Sequence, residues 1–277
     1  MNNEAFHKLY DFSGQVVAVT GGAGVLCACM CRTLAGLGAK VAVLDLNPQA
    51  AQCIADEICS TGGEAIGIEC DVLNKNSIES AAQKILLAFG RVDVLINGAG
   101  GNKPQATTNP QNCFFDLPAE ALEWVIGLNL LGTILPSQVF GKIMAGQKSG
   151  VILNITSMNA LRPLTRIPAY SAAKAGVSNF TQWLAVHMAQ EYSQEIRVNA
   201  IAPGFFLTEQ NRFLLTEKET GALTPRGGSI LAHTPMHRFG APEDLLGATM
   251  WLISPAAAFV TGTVIPIDGG FSAFSGV

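Results

Sequence analysis

Seven short, apolar, β-branched runs alternate with helix-patterned stretches, and no other feature restricts the fold of this chain as tightly. The runs are QVVAVT (15–20), KVAVLD (40–45), EAIGIECD (64–71), VDVLIN (92–97), GVILNIT (150–156), IRVNAIAP (196–203) and GTVIPID (262–268). Helical periodicity fills the gaps: up to Leu37, near 48–60 and 74–88, through roughly 119–145, over about 168–190 and at 242–252. A strand followed by a helix and another strand is a βαβ unit, so the pattern predicts a parallel sheet. Right-handed crossovers then place helices on both faces. The composition agrees, because strands buried on both sides must be almost wholly apolar: 49% of the residues are hydrophobic and only 14% charged. The expectation is one α/β domain over 1–277, a single doubly wound sheet of seven parallel strands. The section 205–235 breaks the alternation and reads as an insertion, a lid over a site.

Several function classes drop out early. A net charge of −4 provides no basic surface for nucleic acid. The first residues, MNNEAFHKLYDFSG, lack the apolar core of a secretory signal, which points to the cytoplasm. Residues 245–267 carry no charge and are long enough to span a bilayer, but Pro255, Gly262 and Pro266 divide them into a helix-like and a strand-like piece. No membrane partner is expected. Seven cysteines, an odd number with no extracellular context, read as reduced thiols. No Cys or His cluster has metal spacing, and Pro235 keeps His233 and His237 off one helix, so no metal is expected.

Residues 19–32, VTGGAGVLCACMCR, close the first strand and open the first helix. Glycines at such a turn let the backbone approach a pyrophosphate, and free N–H groups of the helix start bind it. Gly22-x-Gly24-x-x-Cys27 is the G-x-G-x-x-G fingerprint with its last glycine replaced. Asp45, ending the second strand, supports the reading because an acid there accepts hydrogen bonds from the adenosine ribose hydroxyls. A helix N-cap is its alternative role. Leu46 and Asn47 follow it, with no base to hold a 2′-phosphate, so NAD is expected over NADP. Cys27 and Cys31 share a helix face while Cys29 points elsewhere, so the three cannot hold one metal. The cysteines need no separate function, since a free cysteine packs as a small hydrophobe, although the nearby helix N-terminus could lower the pKa of Cys27.

Tyr170 and Lys174 stand four apart on a predicted helix and share a face, and Ser157 ends the strand before it. In a doubly wound sheet the ligand lies at the carboxyl ends of the strands, so Ser157 points into the same crevice as the nucleotide turn. A tyrosine is a poor base at neutral pH. Moving its pKa from about 10 to about 7 takes roughly 4 kcal/mol of differential stabilisation, which a lysine ammonium and a bound nicotinamide cation could supply.

Taken in order, these motifs resemble the short-chain dehydrogenase/reductase family over residues 14–270. TGGAGVLC is similar to its T-G-x-x-x-G-x-G turn, although Val25 and Cys27 occupy the two later glycine positions. Asp71-Val72 resembles its adenine-contacting pair, and NGAG (97–100) its N-N-A-G, with Gly98 for the second Asn. PGFFLT (203–208), RFGAPEDL and PIDGG resemble its C-terminal signatures. The resemblance implies a Rossmann-type fold that binds NAD (NADH) through Gly21, Gly24, Val25, Leu26, Asp45, Asp71, Val72, Asn97, Ala99, Gly100, Tyr170, Lys174, Pro203, Gly204 and Thr208. It implies that Tyr170 exchanges a proton with the substrate oxygen and that Lys174 holds the nicotinamide ribose. Ser157 would bond the reacting oxygen, and Asn129 would support a water relay toward Lys174. A homotetramer built through apolar helices is implied as well.

The loop NGAGGNKPQATT (97–108), taken with GGAGVLC, resembles the bacterial D-mannonate oxidoreductases (fructuronate reductases) of this family. That implies a sugar-acid substrate and interconversion of D-mannonate and D-fructuronate in hexuronate catabolism. A sugar acid needs a cation for its carboxylate. Lys103, Arg162 or Arg212 is the expected ligand, with Asn102 and His233 as polar partners. Rival readings are a gluconate 5-dehydrogenase, a broad carbonyl or 3-oxoacyl reductase preferring NADPH, and a dinucleotide-binding regulator without turnover.

Overall fold

The structure is a computed structural model that describes residues 3–207, 215–217 and 220–276. A short helix, α1 (Asn3–Lys8), precedes the sheet. The alternating part runs β1 (Val16–Thr20), α2 (Val25–Gly36), β2 (Lys40–Asp45), α3 (Pro48–Ser60), β3 (Glu64–Glu69), α4 (Lys75–Phe89) and β4 (Val94–Asn97). It continues with α5 (Ala119–Ile126), α6 (Gly132–Gln147), β5 (Gly150–Ile155), α7 (Pro168–Glu191) and β6 (Ile196–Pro203). The chain closes with α8 (Pro225–Ala232), α9 (Leu246–Ile253) and β7 (Val264–Ile267). The seven strands form one parallel sheet in the order β3-β2-β1-β4-β5-β6-β7.

The two-residue period of the strands divides their side chains between two cores. Val17, Val19, Val41, Val43, Val94 and Ile96 face α2, α3 and α9, where Leu34, Ile54 and Leu252 meet them. Val16, Ala18, Ala42, Leu44, Leu95 and Ile152 face α4, α6 and α7, against Ile85, Phe140 and Met188. This is why the central strands read as unbroken apolar runs: neither of their faces meets water. Local chemistry sets the helix starts. Asn47 caps α3 by accepting the N–H groups of Gln49 and Ala50, and Asn74 caps α4 in the same way.

Two apolar segments that could be mistaken for membrane spans belong to this core. The run Ala119–Gln147 is long and apolar enough to cross a bilayer by length and composition. It is interrupted by a π-turn, Gly127–Leu131, and its α6 part packs on β4 and β5. Residues 245–267 become α9, a 3₁₀ turn and β7. Beyond β6, Leu207 donates its N–H to the Gly240 carbonyl at 3.0 Å, which ties the start of the section after β6 to the segment before α9.

A polar network crosses the second core. Asn97 and Asn154 are paired across β4 and β5, and Asn97 Nδ2 donates to Asn154 Oδ1 (2.8 Å) and to Ser137 Oγ on α6 (2.9 Å). Asn154 Nδ2 donates to Thr181 Oγ1 on α7 (2.9 Å). All four residues are buried, so removing one leaves its partners short of a hydrogen bond that no water replaces. Asn154→Ala is expected to cost about 1–3 kcal/mol, read as a lower denaturation midpoint in urea.

Candidate active site

The strand order reverses between β1 and β4, and the crevice for a ligand opens there, at the carboxyl ends of the strands. Thr20, the last residue of β1, is fully buried. Its hydroxyl accepts the N–H groups of Gly98 (3.1 Å) and Ala99 (3.3 Å), locking the nucleotide turn to the loop after β4. Above this joint lies a hollow of about 460 Å³. It brings together Gly21, Gly24, Val25 and Leu26 from the turn, Asp45 from β2, and Ala99 and Gly100 from the loop. Ser157, Tyr170, Lys174, Pro203 and Gly204 come from the second half of the chain.

The turn has the features of a phosphate cradle. Gly21 sits at φ +62°, and a Cβ there would lie 2.8 Å from Ala99 Cα, so only glycine fits. Gly24 is the N-cap of α2 and, having no side chain, makes no cap bond; the first turn also carries no acid. No capping side chain claims the backbone N–H groups at this helix start, an arrangement that suits an anion. Val25 stands at the rim, 39% exposed, and does not fill the cradle.

Cys27 accounts for the other departure from the glycine pattern. A Cβ on Gly98 would collide with Cys27 Sγ and lie 2.8 Å from the Thr20 carbonyl oxygen. The cysteine at 27 thus takes the space that a side chain at 98 would need, so the two departures from the family pattern complement each other. Burial pushes the Cys27 thiol up to about 12, opposite to the lowering expected from its place near a helix N-terminus. Desolvation outweighs both the helix end and the Lys174 charge.

Asp45 is not the cap of α3, because Asn47 takes that role. Its Oδ2 accepts the Ala23 N–H (3.2 Å) and its Oδ1 the Asn47 N–H (3.0 Å), which fixes the carboxylate on the cavity wall. Asp71 and Val72 follow β3 beside it, since Cys70 N–H donates to the Asp45 carbonyl at 2.8 Å, but neither lines the hollow. Asn97, expected on the cofactor, points its amide into the core network, and its Oδ1 has no partner among the described residues. Thr208 lies outside the described residues.

The four expected catalytic residues converge. Tyr170, half-buried, lines the same hollow as Ser157, whose hydroxyl acts to lower the Tyr170 pKa. Burial raises that pKa, and the Ser157 hydroxyl offsets this only in part, so the phenol is protonated at neutral pH. The protein alone therefore does not produce the phenolate. Lys174 is 4% exposed; its Nζ donates to the Ile155 carbonyl at 2.7 Å and lies 5.8 Å from the Tyr170 ring centre. Burial lowers its pKa from 10.5 to about 8. Asn129 sits in the π-turn, where the Gly132 N–H reaches back five residues to Gly127. Its Nδ2 donates to the carbonyls of Gly101 (2.6 Å) and Val125 (2.8 Å), and its Oδ1 accepts the Gly101 N–H (3.2 Å). Asn129 therefore clamps the loop, pressing beside Lys174 Nζ against Gly100.

The residues expected on a substrate carboxylate fare differently. Lys103 Nζ lies over the Trp124 ring, 4.3 Å from its centre. Arg162 Nε donates to the Ser272 carbonyl (3.0 Å), and Asn102 Nδ2 to Thr107 Oγ1 (2.9 Å). Arg212 lies outside the described residues. Lys103, Arg162 and Asn102 do not line the catalytic hollow. His233 faces a neighbouring hollow together with Arg166 and Arg226, which the sequence reading passed over. Phe206, Ile155 and Thr156 also line the catalytic hollow and were missed; as ordinary core types they carried no signal.

A phosphate cradle facing a Ser–Tyr–Lys set across one crevice defines a nicotinamide-dinucleotide-dependent oxidoreductase. Residues 22–272 match the family profile described as enoyl-(acyl carrier protein) reductase. The chain belongs to the short-chain dehydrogenase/reductase family. It is 48% identical to the uncharacterised oxidoreductase UxuB of Bacillus subtilis, over 96% of this chain and 98% of that one. A crystal structure with bound NAD, from a Haemophilus influenzae protein that carries a provisional D-mannonate oxidoreductase name, superposes with a TM-score of 0.91. That protein is 48% identical, over 96% of this chain and 98% of the other. A more distant relative, 32% identical over 93% of this chain and 94% of its own length, is the 7α-hydroxysteroid dehydrogenase of Escherichia coli.

The Cys27–Gly98 fit is directly testable. Gly98→Ala is expected to lower both Tm and NADH affinity, measured by thermal unfolding and by quenching of NADH fluorescence. Adding Cys27→Gly should restore part of each loss. If the double variant is as impaired as the single one, the two positions are not sterically coupled.

Proposed function

We propose that this enzyme transfers a hydride between NAD(H) and a sugar acid, with D-mannonate and D-fructuronate as the pair. The observation that carries the reading is the Ser157–Tyr170–Lys174 cluster, which shares one hollow with the Asp45 carboxylate. Asp45 favours NAD, because it bonds ribose hydroxyls and repels a 2′-phosphate, and Lys174 is the only cation on that hollow's described wall. The NAD-bound relative with the D-mannonate name supports both the cofactor and the substrate.

The residues fit such a cofactor: the uncapped start of α2 suits its pyrophosphate, and Asp45 its adenosine ribose. When bound, the cofactor supplies or accepts the hydride. Ser157 and Tyr170 are placed to hold the reacting oxygen between two hydroxyls. Tyr170, protonated by virtue of its burial, is ready to donate its proton to a carbonyl undergoing reduction. Oxidation needs the phenolate, and Lys174 stands close enough to stabilise it. Asp71, Val72, Thr208 and the backbone at Asn97 complete the cofactor contacts in this reading, and the insertion over 205–235 acts as a lid.

A cytoplasmic homotetramer is part of the proposal. All seven cysteines are free thiols, as a reducing compartment maintains. Trp183 and Val186 on α7 are each 57% exposed, beside a hollow of about 690 Å³ between α6 and α7. An apolar face of this kind suits a second copy of the chain.

Turnover of D-mannonate with NAD well above that of D-gluconate, and above either with NADP, is the expected steady-state result; preference for NADP or for D-gluconate would overturn the assignment. Tyr170→Phe should lower turnover by about 10²–10⁴-fold while NADH still binds. Reduction should be flat across neutral pH, and oxidation should rise with pH, because the Tyr170 pKa is raised. Lys174 provides a stability test. With its pKa lowered to about 8, the unfolded chain binds more protons between there and 10.5, so the penalty grows as pH falls through that window and is complete below it. Urea denaturation of Lys174→Met and the parent should show the difference shifting toward the variant as pH falls from about 10 to about 8.

A further inference from the structure

A second hollow, of about 400 Å³, lies between the segment that leads into α7 and the insertion helix α8. Its walls carry Arg166, Arg226 and His233, with Phe205 and Phe271 packed edge to face, 5.2 Å between ring centres. The two guanidiniums are close enough that the charge of Arg166 lowers the pKa of half-buried Arg226, which burial also lowers. Among the described residues, no carboxylate pairs with either. Arg166 is exposed and Arg226 half-buried, so the two like charges on one hollow repel each other, and an anion between them relieves that repulsion.

The backbone supports the same reading. Arg166 adopts φ +75°, a left-handed conformation that a side chain disfavours. Thr108 N–H donates to its carbonyl at 2.8 Å, which ties it to the loop after β4. His233 Nδ1 is 2.8 Å from the Ser229 carbonyl, which can only accept. Nδ1 therefore carries the hydrogen, and in the neutral ring Nε2 is left to accept from a hydroxyl. Cations and a hydroxyl acceptor together suit a hydroxylated carboxylate.

The hollow also has a defined relation to the reacting centre. Arg166 precedes Tyr170 by four residues, and Phe205 lies between Gly204 and Phe206, which line the catalytic hollow. The two hollows share no lining residue. We propose that Arg166 and Arg226, with His233, form an anion subsite for the carboxylate of a polyhydroxy acid whose reacting carbonyl is remote from that carboxylate. The proposal rests on the sugar-acid reading above and adds to it: a 2-oxo acid, with adjacent carbonyl and carboxylate, cannot reach both hollows.

The test compares NADH-driven reduction of 5-keto-D-gluconate, 2-keto-D-gluconate and the neutral ketose L-sorbose. The parent is expected to prefer the 5-keto acid. Arg166→Ala and Arg226→Ala should each raise its KM by about tenfold to a hundredfold, with the KM for NADH little changed and the preference for acid over ketose lost. Arg226→Lys should recover part of the effect, and circular dichroism verifies folding. An unchanged KM for the acid in both variants, or a preference for the 2-keto acid, would overturn the subsite. If no acid is reduced, the sugar-acid reading fails separately. D-gluconate inhibition, competitive against L-sorbose and abolished by Arg226→Ala, would then still support an anion subsite; absence of that inhibition would remove it.

Discussion

Where β1 and β4 part at the top of the sheet, the buried Thr20 hydroxyl accepts the N–H groups of Gly98 and Ala99, and the geometry of the crevice depends on that joint. It fixes the phosphate cradle, which begins at Gly21, against the loop that begins at Gly98. The loop is held at its next step by Asn129, whose amide bonds both the N–H and the carbonyl of Gly101. Asn129 can reach because a π-turn interrupts the run from α5 to α6, and α6 is anchored on β4 and β5 by its packing. Lys174 meets Gly100 beside Asn129 and is fixed by the Ile155 carbonyl at the end of β5. Cofactor cradle, loop and catalytic lysine are thus positioned by a short chain of hydrogen bonds between strand ends.

The electrostatics of this arrangement work against the folded protein alone. Lys174 is buried with a carbonyl and no carboxylate as its hydrogen-bond partner, and burial alone depresses its pKa. Tyr170 is likewise driven toward its neutral form. A chain selected only for stability would place apolar groups at both positions. These costs are the ones a ligand offsets, which is the usual relation between a catalytic site and the stability of its scaffold.

The fold was legible because burial on both faces of a parallel sheet leaves a simple trace: β-branched runs at regular intervals with helix-patterned stretches between them. Tyr170, Lys174, Ser157 and Asp45 were legible because their spacing puts them at strand ends and on one helix face. A motif position such as Asn97 does not reveal which way its side chain turns, and the pairing with Asn154 draws its amide into the core. The raised pKa of Cys27 was illegible for a related reason: proximity to a helix end is visible in sequence, but desolvation is not. Arg166 and Arg226 are far apart in the chain, and only the path of the insertion brings them to one hollow.

The irregular nucleotide turn shows how such a site tolerates departures from its own pattern. Two residues depart together, Cys27 where a glycine is usual and Gly98 where an asparagine is usual, and the structure places the sulfur of one in the space vacated by the other. In this chain a side chain at one position takes the place of a side chain at the other. The binding function survives because it belongs to the backbone: the N–H groups at the start of α2 and the left-handed Gly21 do not depend on what packs beneath them. Constraint in this crevice therefore falls on the sum of the side chains between β1 and β4, and on individual residues only where the backbone itself must turn or approach a ligand.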